Sequence, residues 1–305
     1  MVKRSLVQPV GWSSKVVAML AGAAIVLAGC QTDTDEPRPA PRPVEGPLSI
    51  MLVNDDGWDA PGITAAYDAL VAAGHRVTIV APLVNQSGKS MSTGSDPLSV
   101  TRPQGDAPKY AVDGTPVDAL NIGLLGVLKK DLPDVVVSGI NTGANVASNT
   151  NYSGTVGAAA AAAEQGFPAL AVSADVGGPT GDGDYADAAE VVVDLVERLA
   201  STGFDGLGAA GFINVNVPFE TDERDAPRGL EVVPLAKAPP RTVQYAELEP
   251  GTWTPTFGYD PRVGPRRADA EQLADGWTTL TFLPVERTPV AAEQEKLEDL
   301  VDEGR

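Results

Sequence analysis

Residues 48 to 57 read Leu48-Ser49-Ile50-Met51-Leu52-Val53-Asn54-Asp55-Asp56-Gly57. The first six are mostly apolar, which predicts a buried strand. Two adjacent carboxylates at the end of such a strand are unfavourable unless positive charge lies close to them. A hard divalent cation, which prefers oxygen ligands, would supply that charge. An ordinary turn, in which Asn and Asp bond to nearby backbone, explains the same residues. This stretch alone leaves both readings open.

Apolar runs alternate with helical patterns along the next 170 residues. Strands are predicted at Leu48–Val53, Arg76–Ala81, Asp134–Ser138, Ala169–Ser173 and Phe212–Val217, and helices at Gly62–Ala73, Thr115–Leu128, Gly154–Gln165 and Asp184–Leu199. Near-continuous apolar strands separated by helices indicate a parallel sheet that is covered on both faces. The sequence therefore predicts an α/β fold with three layers and a mostly parallel, Rossmann-like sheet.

Three polar strings directly follow predicted strands, namely 54–57, 85–90 and 138–145. Ligands in such folds bind at the carboxyl ends of the strands, so these strings are expected at one edge. Ser87 offers a hydroxyl oxygen, and Asn141 and Asn145 offer amide groups. The helix that begins near Ser153 and Thr155 offers backbone amides, which suit a phosphate and equally suit simple N-capping.

The first 47 residues are not expected to belong to the folded core. Lys3, Arg4 and Lys15 precede the apolar run 16–28, which ends in Leu-Ala-Gly before Cys30. This pattern is typical of a signal peptide over residues 1–29, with Cys30 as the lipidated first residue of the mature chain. An uncleaved anchor is the alternative, although the run is short for a membrane span of about 20 residues. Residues 30–47 read as a proline-rich tether.

Charge and cysteine content narrow the functional classes. The formal charge is −19, which argues against binding a nucleic-acid duplex, because phosphate contacts need clustered Lys and Arg. The predicted lipid on Cys30 would therefore provide the membrane attachment, and we expect an extracytoplasmic lipoprotein of the cell membrane. Cys30 is the only cysteine, so no disulfide can form within the chain.

The pattern changes beyond residue 218. Proline-rich segments at 238–240 and 250–255 separate possible short strands near 243–245 and 278–282, and residues 291–300 suggest a charged terminal helix. We predict a catalytic core over 48–218 and a β-rich extension over 219–305. A hairpin in this extension would serve subunit association.

Several ordered motifs together identify a family. They are Ile50–Gly57, Ala60-Pro61-Gly62-Ile63, Val80-Ala81-Pro82, Gln86-Ser87-Gly88, Asp113–Pro116, Ser138–Asn141, Tyr152–Val156, Phe167–Ala171 and Asn214–Pro218, with a looser match at Ala274–Thr278. In this order they resemble the SurE family of survival-protein nucleotidases. Trp58-Asp59 and Leu83-Val84 depart from the family pattern, which affects the expected rim of the substrate site.

The resemblance implies a metal-dependent phosphatase that acts on nucleoside 5′- and 3′-monophosphates. Its implied metal ligands are Asp55, Asp56, Ser87 and Asn141 around one Mg²⁺ or Mn²⁺ per subunit, with Asp55 and Asp56 also catalytic. Its implied phosphate-binding residues are Asn54, Asn145, Ser153, Gly154 and Thr155. A homodimer or homotetramer is expected. A broad-specificity acid phosphatase or exopolyphosphatase, and a lipoprotein that binds nucleotide or metal without turnover, remain as alternatives.

Overall fold

A computed structural model describes residues 43–105, 107–176, 184–218, 226–237, 241–259 and 266–286. The predicted signal peptide, the lipidation site at Cys30, most of the tether and the predicted terminal helix lie outside these residues. Residues 43–48, where the tether reaches the domain, form no regular element. Across the described part of the chain, no helix has both the length and the apolar character that a membrane span requires.

Among the described residues from 48 to 218, helices and strands alternate largely as the sequence predicted. The strands there are β1 (Ser49–Val53), β2 (Arg76–Pro82), β3 (Val100–Thr101), β4 (Lys109–Val112), β5 (Val135–Thr142), β6 (Ala169–Ala174) and β7 (Gly211–Val217). The helices are α1 (Pro61–Ala72), α2 (Pro116–Ile122), α3 (Gly154–Glu164) and α4 (Ala186–Ser201). A π-helical turn at Gly123–Val127 continues α2, and a 3₁₀ helix at Ala147–Asn151 precedes α3.

The remaining elements lie beyond residue 218. They are β8 (Leu230–Val232), β9 (Arg241–Glu249), β10 (Thr252–Tyr259), α5 (Asp269–Ala274) and β11 (Thr278–Pro284). β9 and β10 pair as an antiparallel hairpin that is separate from the main sheet, so the predicted appended hairpin is present. β11 instead joins β7, and β8 joins β11. The main sheet thus includes two strands from beyond Pro218, where the sequence placed the end of the core.

Within the described residues, the main sheet has nine strands in the order β3-β4-β2-β1-β5-β6-β7-β11-β8. The pairs from β4 through β7 are parallel, while β3 and β11 run antiparallel to their neighbours β4 and β7. β1 lies between β2 and β5, so the strands that follow it in the chain are added first on one side of β1 and then on the other. This reversal opens a crevice at the carboxyl ends of β1 and β5, which is where such sheets bind ligands.

Alternation along β1 divides the core into two layers. Ile50 and Leu52 face the cluster that α1 and α4 cover, whereas Met51 and Val53 face the cluster that α2 and α3 cover. All four are almost completely buried. Successive side chains of a strand point to opposite faces, so an apolar residue at every position requires cover on both sides. The three-layer prediction is confirmed.

Some strands were missed or misjudged. β3 and β4 are short and lie among Pro and Gly residues, which hid them from a pattern search. The segment 250–255 was expected to separate strands, but β10 passes through Pro255, which pairs with Tyr245. Proline is compatible with a strand at a sheet edge, where its missing N–H is not needed, and both strands of a two-stranded hairpin are edges.

Candidate active site

The predicted site residues meet at the carboxyl edge of the sheet. Asp55 and Asp56 follow β1, Ser87 follows β2, Asn141 lies near the end of β5, and Ser153 is the N-cap of α3. A cavity of about 240 Å³ opens there. It is lined by Asp55, Ser87, Gly88, Asn141, Thr142, Gly143, Ala144, Asn145, Asn149, Tyr152 and Ser153. Residues from three separate segments of the chain, after β1, after β2 and from the end of β5 to the start of α3, therefore converge on one space.

Asp55 is the most deeply buried acid of the cavity, with only 2% of its surface exposed. Its Oδ1 accepts a hydrogen bond of 2.5 Å from the Thr155 hydroxyl. Burial raises the pKa of Asp55 from 3.8 to about 6, because a charged group loses its hydration there. The Thr155 hydrogen bond lowers the pKa, and the charge of Asp56 raises it.

Asp56 lies beside the cavity and is held at both oxygens. Oδ1 accepts from the Asn85 side chain at 3.2 Å, and Oδ2 accepts from the Thr142 backbone N–H at 3.0 Å. Burial raises the pKa of Asp56, while the bonds from Thr142 and Asn85 lower it. Asn85 Oδ1 in turn accepts from the Ser87 backbone N–H at 2.9 Å, so one side chain ties the loop after β2 to the carboxylate.

The electrostatics suit a cation. Among the described residues, neither Asp55 nor Asp56 has a Lys, Arg or His nitrogen within 4.0 Å. Two adjacent acids with raised pKa values and no cationic side chain beside them leave negative charge uncompensated. The described residues contain no cluster of three or more His, Cys, Asp or Glu placed to hold a metal. The predicted set has two carboxylates and otherwise neutral oxygens, which fits a hard cation that retains water.

Asn141 presents an oxygen to this space. Its amide nitrogen donates to the carbonyl oxygens of Thr142 at 3.2 Å and Gly143 at 2.7 Å. These bonds leave the amide oxygen available as a ligand. Ser87 is exposed at the cavity wall, where its hydroxyl can turn toward the same point. The predicted ligands Asp55, Ser87 and Asn141 thus line one cavity, with Asp56 adjoining it.

Asn145 is fixed by a buried network that sequence reasoning did not anticipate. Its side-chain nitrogen donates to Ser173 Oγ at 2.9 Å, and its backbone N–H donates to Asn216 Oδ1 at 2.7 Å. Its carbonyl oxygen accepts from the side chains of Asn214 at 2.8 Å and Asn216 at 3.2 Å. The sequence of β7 did contain a signal for this network. Two Asn residues two positions apart in an apolar strand face the same side of the sheet, so they can bind the same partner.

α3 begins against the acid pair. The Ser153 hydroxyl accepts from the Val156 N–H at 3.1 Å, so N-capping is present as predicted. A Cβ atom at Gly154 would lie 2.7 Å from Asp55 Cβ and 2.9 Å from Asp55 Oδ2. Only glycine therefore permits this approach of the helix N-terminus to Asp55. The same N-terminus gives the cavity the partial positive charge that attracts anions.

Two residues expected to bind phosphate have other roles in the structure. Both polar side-chain atoms of Asn54 bond to the Gly57 backbone, at 2.9 and 3.2 Å, and the side chain is fully buried. Thr155 is also fully buried and donates to Asp55. We therefore revise both: Asn54 shapes the loop, in which Gly57 adopts a φ of +125°, and Thr155 holds Asp55. Gly154 has no side chain to bind phosphate, and its role is to leave room for Asp55.

The family departures sit at the edge of the site. Leu83 and Val84 are exposed, whereas Trp58 packs partly against the core layer of α1 and α4. Sequence reasoning missed Asn85, Asn149 and Tyr152 as site residues. Asn149 and Tyr152 line the cavity, and the Tyr152 side chain is largely exposed at its rim.

An acid pair and a helix N-terminus at the crevice of a parallel three-layer sheet define an α/β phosphate-binding protein with a place for a cation. The family model described as Survival protein SurE matches residues 50–241. The chain belongs to the SurE family.

Known relatives agree with this assignment. The 5'-nucleotidase SurE of Nitratidesulfovibrio vulgaris (strain DSM 19637 / Miyazaki F) is 38% identical over 241 residues, covering 77% of this chain and 86% of the relative. The 5'-nucleotidase SurE of Desulfovibrio desulfuricans (strain ATCC 27774 / DSM 6949 / MB) is 37% identical over 244 residues, covering 77% and 92%. The crystal structure of a SurE protein from Aquifex aeolicus superposes with a TM-score of 0.68 at 30% identity, covering 82% of this chain and 99% of that one.

Proposed function

We propose that this protein is a divalent-metal-dependent 5′-nucleotidase, which hydrolyses nucleoside monophosphates to a nucleoside and phosphate. The observation that carries the proposal is the adjacent acids Asp55, which is buried, and Asp56, which is half-buried. No described cationic side chain compensates them, and Asp55 lines a cavity at the N-terminus of α3. Membership of a family whose relatives are named 5'-nucleotidase SurE supports the same activity.

Asp55, Asp56, Ser87 and Asn141 would hold one divalent cation per subunit, either Mg²⁺ or Mn²⁺. When bound, such an ion neutralises phosphoryl charge and lowers the pKa of a coordinated water. Asp55 and Asp56 are the groups in place to accept a proton from the attacking water. Burial raises the pKa of both acids in the metal-free protein, and a coordinated cation would lower both pKa values by stabilising the carboxylate form.

The phosphate would bind between the loop after β5 and the start of α3. Asn145 and Ser153 line the cavity, and the backbone amides of the first α3 turn supply further donors. These groups carry no net charge. They would orient the phosphate, and a bound cation would neutralise its negative charge. The proton taken up from water then passes to the leaving alkoxide, which departs as the nucleoside hydroxyl.

Metal removal provides the direct test. The chain from Gln31 onward should release phosphate from nucleoside 5′-monophosphates with Mn²⁺ or Mg²⁺, and lose at least about 100-fold of that rate in chelator, because a bound cation supplies several kcal/mol to the transition state. Readdition of metal should restore the rate, which separates metal loss from unfolding. Full activity after exhaustive chelation would contradict the proposal.

A substrate panel separates this reading from the two alternatives. Nucleoside 5′- and 3′-monophosphates, sugar phosphates and polyphosphate should be compared under identical conditions. Similar kcat/KM values throughout would indicate a broad-specificity acid phosphatase or exopolyphosphatase. Binding of Mn²⁺ or nucleotide with no phosphate release from any substrate would indicate a protein that only binds.

We propose further that the protein works outside the cytoplasm, attached to the cell membrane through a lipid on Cys30. The motif Leu27-Ala28-Gly29-Cys30 and the proline-rich tether support this location. The Cys30→Ser variant should move from the membrane fraction to the soluble fraction or remain as an uncleaved precursor, while its phosphatase rate stays near that of the wild type. An unchanged mature mass and membrane fraction in Cys30→Ser would exclude lipidation at this residue.

The assembly is proposed to be a homodimer or homotetramer. The hairpin of β9 and β10 exposes Val243, Tyr245 and Trp253. A two-stranded hairpin is marginally stable alone, and exposed apolar side chains on it suit a contact between subunits. Light scattering of the chain from Gln31 onward should give a mass of two or four subunits, and a monomer at micromolar concentration would refute this assembly.

A further inference from the structure

A fully buried carboxylate lies in the C-terminal region, outside the residues that the family model matches. Asp269 is the first residue of α5 and has no exposed surface. Its Oδ2 accepts from the Ala147 backbone N–H at 2.8 Å. Its Oδ1 accepts from the N–H groups of Ala236 and Ala270, both at 2.9 Å. One side chain therefore joins three segments that are distant in sequence.

Ala147 lies in a segment whose neighbouring residues line the candidate active site. We call residues 143–153 the phosphate loop, because Gly143, Asn145, Asn149 and Ser153 from this segment line the cavity. Ala147 lies at its centre and begins the 3₁₀ helix. The carbonyl oxygen of Ala147 accepts from the Thr150 hydroxyl at 2.7 Å, so both its backbone groups are engaged.

The backbone of Ala147 needs outside support. Its φ of +49° lies in the left-handed region, which disfavours a residue with a Cβ by about 1 kcal/mol. Such a conformation persists where surrounding contacts enforce it. Asp269 supplies a charged acceptor for the N–H at this residue, and hydrogen bonds to charged groups are stronger than neutral ones.

The hydrogen bond between Ala147 and Asp269 lies between cavity residues that precede Ala147 in the chain and cavity residues that follow it. On one side, Val146 packs against Ala270 and Leu273, next to Asn145. On the other side, the carbonyl oxygen of Asn149 accepts from the N–H of Ser153 at 3.2 Å. A shift at Ala147 would therefore displace the phosphate-binding groups before and after it.

We propose that Asp269 is a positioning residue, which sets the phosphate loop from the C-terminal region through its bond to Ala147. The proposal rests on the proposed function, since it assigns the loop to the phosphate of the substrate. Asp269 does not touch the cavity, so it acts on binding geometry rather than on the chemical step. Of the proposed metal ligands, Asp55, Asp56 and Ser87 lie on other loops, and only Asn141 is bonded to the phosphate loop, through Gly143. Metal binding should therefore depend on Asp269 less than phosphate binding does.

The test uses the full chain with Asp269→Asn, which keeps the size of the side chain and one acceptor oxygen. One amide NH₂ must then face a backbone N–H. We expect KM for a nucleoside 5′-monophosphate and Ki for inorganic phosphate to rise together by about 10- to 100-fold, since a displacement near 1 Å costs that much in a positioned site. The Mn²⁺ concentration for half-maximal rate should change much less than KM and Ki do, since three of the four proposed metal ligands lie on other loops.

Asp134→Asn is the matched control. Asp134 also accepts a backbone hydrogen bond, from Ser49 N–H at 2.8 Å, but at the start of the strands, on the edge of the sheet opposite the site. Its loss should lower thermal stability and leave KM and Ki at wild-type values. The comparison separates a general loss of stability from a local change at the phosphate loop.

Each outcome decides the proposal. Wild-type KM and Ki in Asp269→Asn, together with a lowered melting temperature, would make Asp269 purely structural and overturn it. If wild-type protein releases no phosphate, the proposed function fails separately. The melting-temperature rise caused by inorganic phosphate with Mn²⁺ then becomes the readout: a rise lost only in Asp269→Asn supports positioning, and an equal rise in both proteins refutes it.

Discussion

Asp55→Asn is expected to abolish phosphate release and, at the same time, to stabilise the metal-free protein. The activity should fall by at least about a thousandfold, because the variant loses both a charged metal ligand and a base. The free energy of unfolding of the metal-free protein should rise instead. An amide at this buried position carries no charge that burial penalises, whereas the wild-type carboxylate has its pKa raised to about 6.

The pH dependence follows from the direction of that shift. In metal-free wild type, the folded state holds a proton on Asp55 between its unfolded pKa of 3.8 and its folded pKa of about 6. The free energy of unfolding therefore falls as pH rises through this window, by up to about 3 kcal/mol. Asp55→Asn should show a smaller fall, because only the contribution of Asp55 is removed while Asp56, Asp175 and Asp269 also have raised pKa values. Thermal unfolding from pH 4 to 7.5 in chelator measures it.

Asp175→Asn provides the control for this experiment. Burial also raises the pKa of Asp175, but this residue does not line the cavity. Its variant should retain both the rate and the rise in melting temperature that Mn²⁺ causes, and Asp55→Asn should lose both. Near-normal activity of Asp55→Asn with metal would refute the role of Asp55.

Gly154→Ala is expected to damage the site by sterics alone. The added methyl group would lie 2.7 Å from Asp55 Cβ and 2.9 Å from Asp55 Oδ2, both closer than a Cβ atom approaches other atoms in folded proteins. Asp55 is short and buried, so it cannot swing away without leaving the cavity. We expect kcat/KM to fall by about 100-fold or more, because small displacements of positioned groups have effects of this size.

Gly126→Ala is the matched substitution. A Cβ at Gly126 would meet nothing within 4 Å, and its backbone φ lies outside the left-handed region. It should leave kcat/KM unchanged, and its stability should match or slightly exceed that of the wild type. If Gly154→Ala keeps the wild-type rate and metal response, the close approach of α3 to Asp55 has no functional importance.

The local pattern of this chain was enough to predict most of the fold. Every position of β1 is buried, and an uninterrupted apolar strand followed by a helix has few stable arrangements other than a covered parallel sheet. The ends of β1, β5 and α3 also followed from sequence, so Asp55, Asn141 and Ser153 could be placed at one edge. A strand near 278–282 was predicted and corresponds to β11, but its place in the main sheet and the existence of β8 could not be assigned, because their partners are strands far away in the chain.

The roles of individual side chains were less predictable. Asn54 and Thr155 lie in motifs next to the cavity, yet their polar atoms bond to Gly57 and Asp55. Position in a motif gives proximity, whereas the direction of a side chain depends on which donors and acceptors are left unsatisfied around it. Asn214 and Asn216 were not predicted as residues that support the site, because their hydrogen-bond partner Asn145 is about 70 residues away in sequence.

The sequence by itself thus determined the three-layer sheet, the family and the loops that carry Asp55, Ser87 and Asn141. It could do so because strand periodicity and strand-end chemistry are local properties. Only the tertiary structure decided that Gly154 brings α3 against Asp55, that Thr155 serves the acid rather than a phosphate, and that Asp269 reaches Ala147. These are contacts between distant segments, and their energies depend on burial and distance, which a linear pattern does not contain.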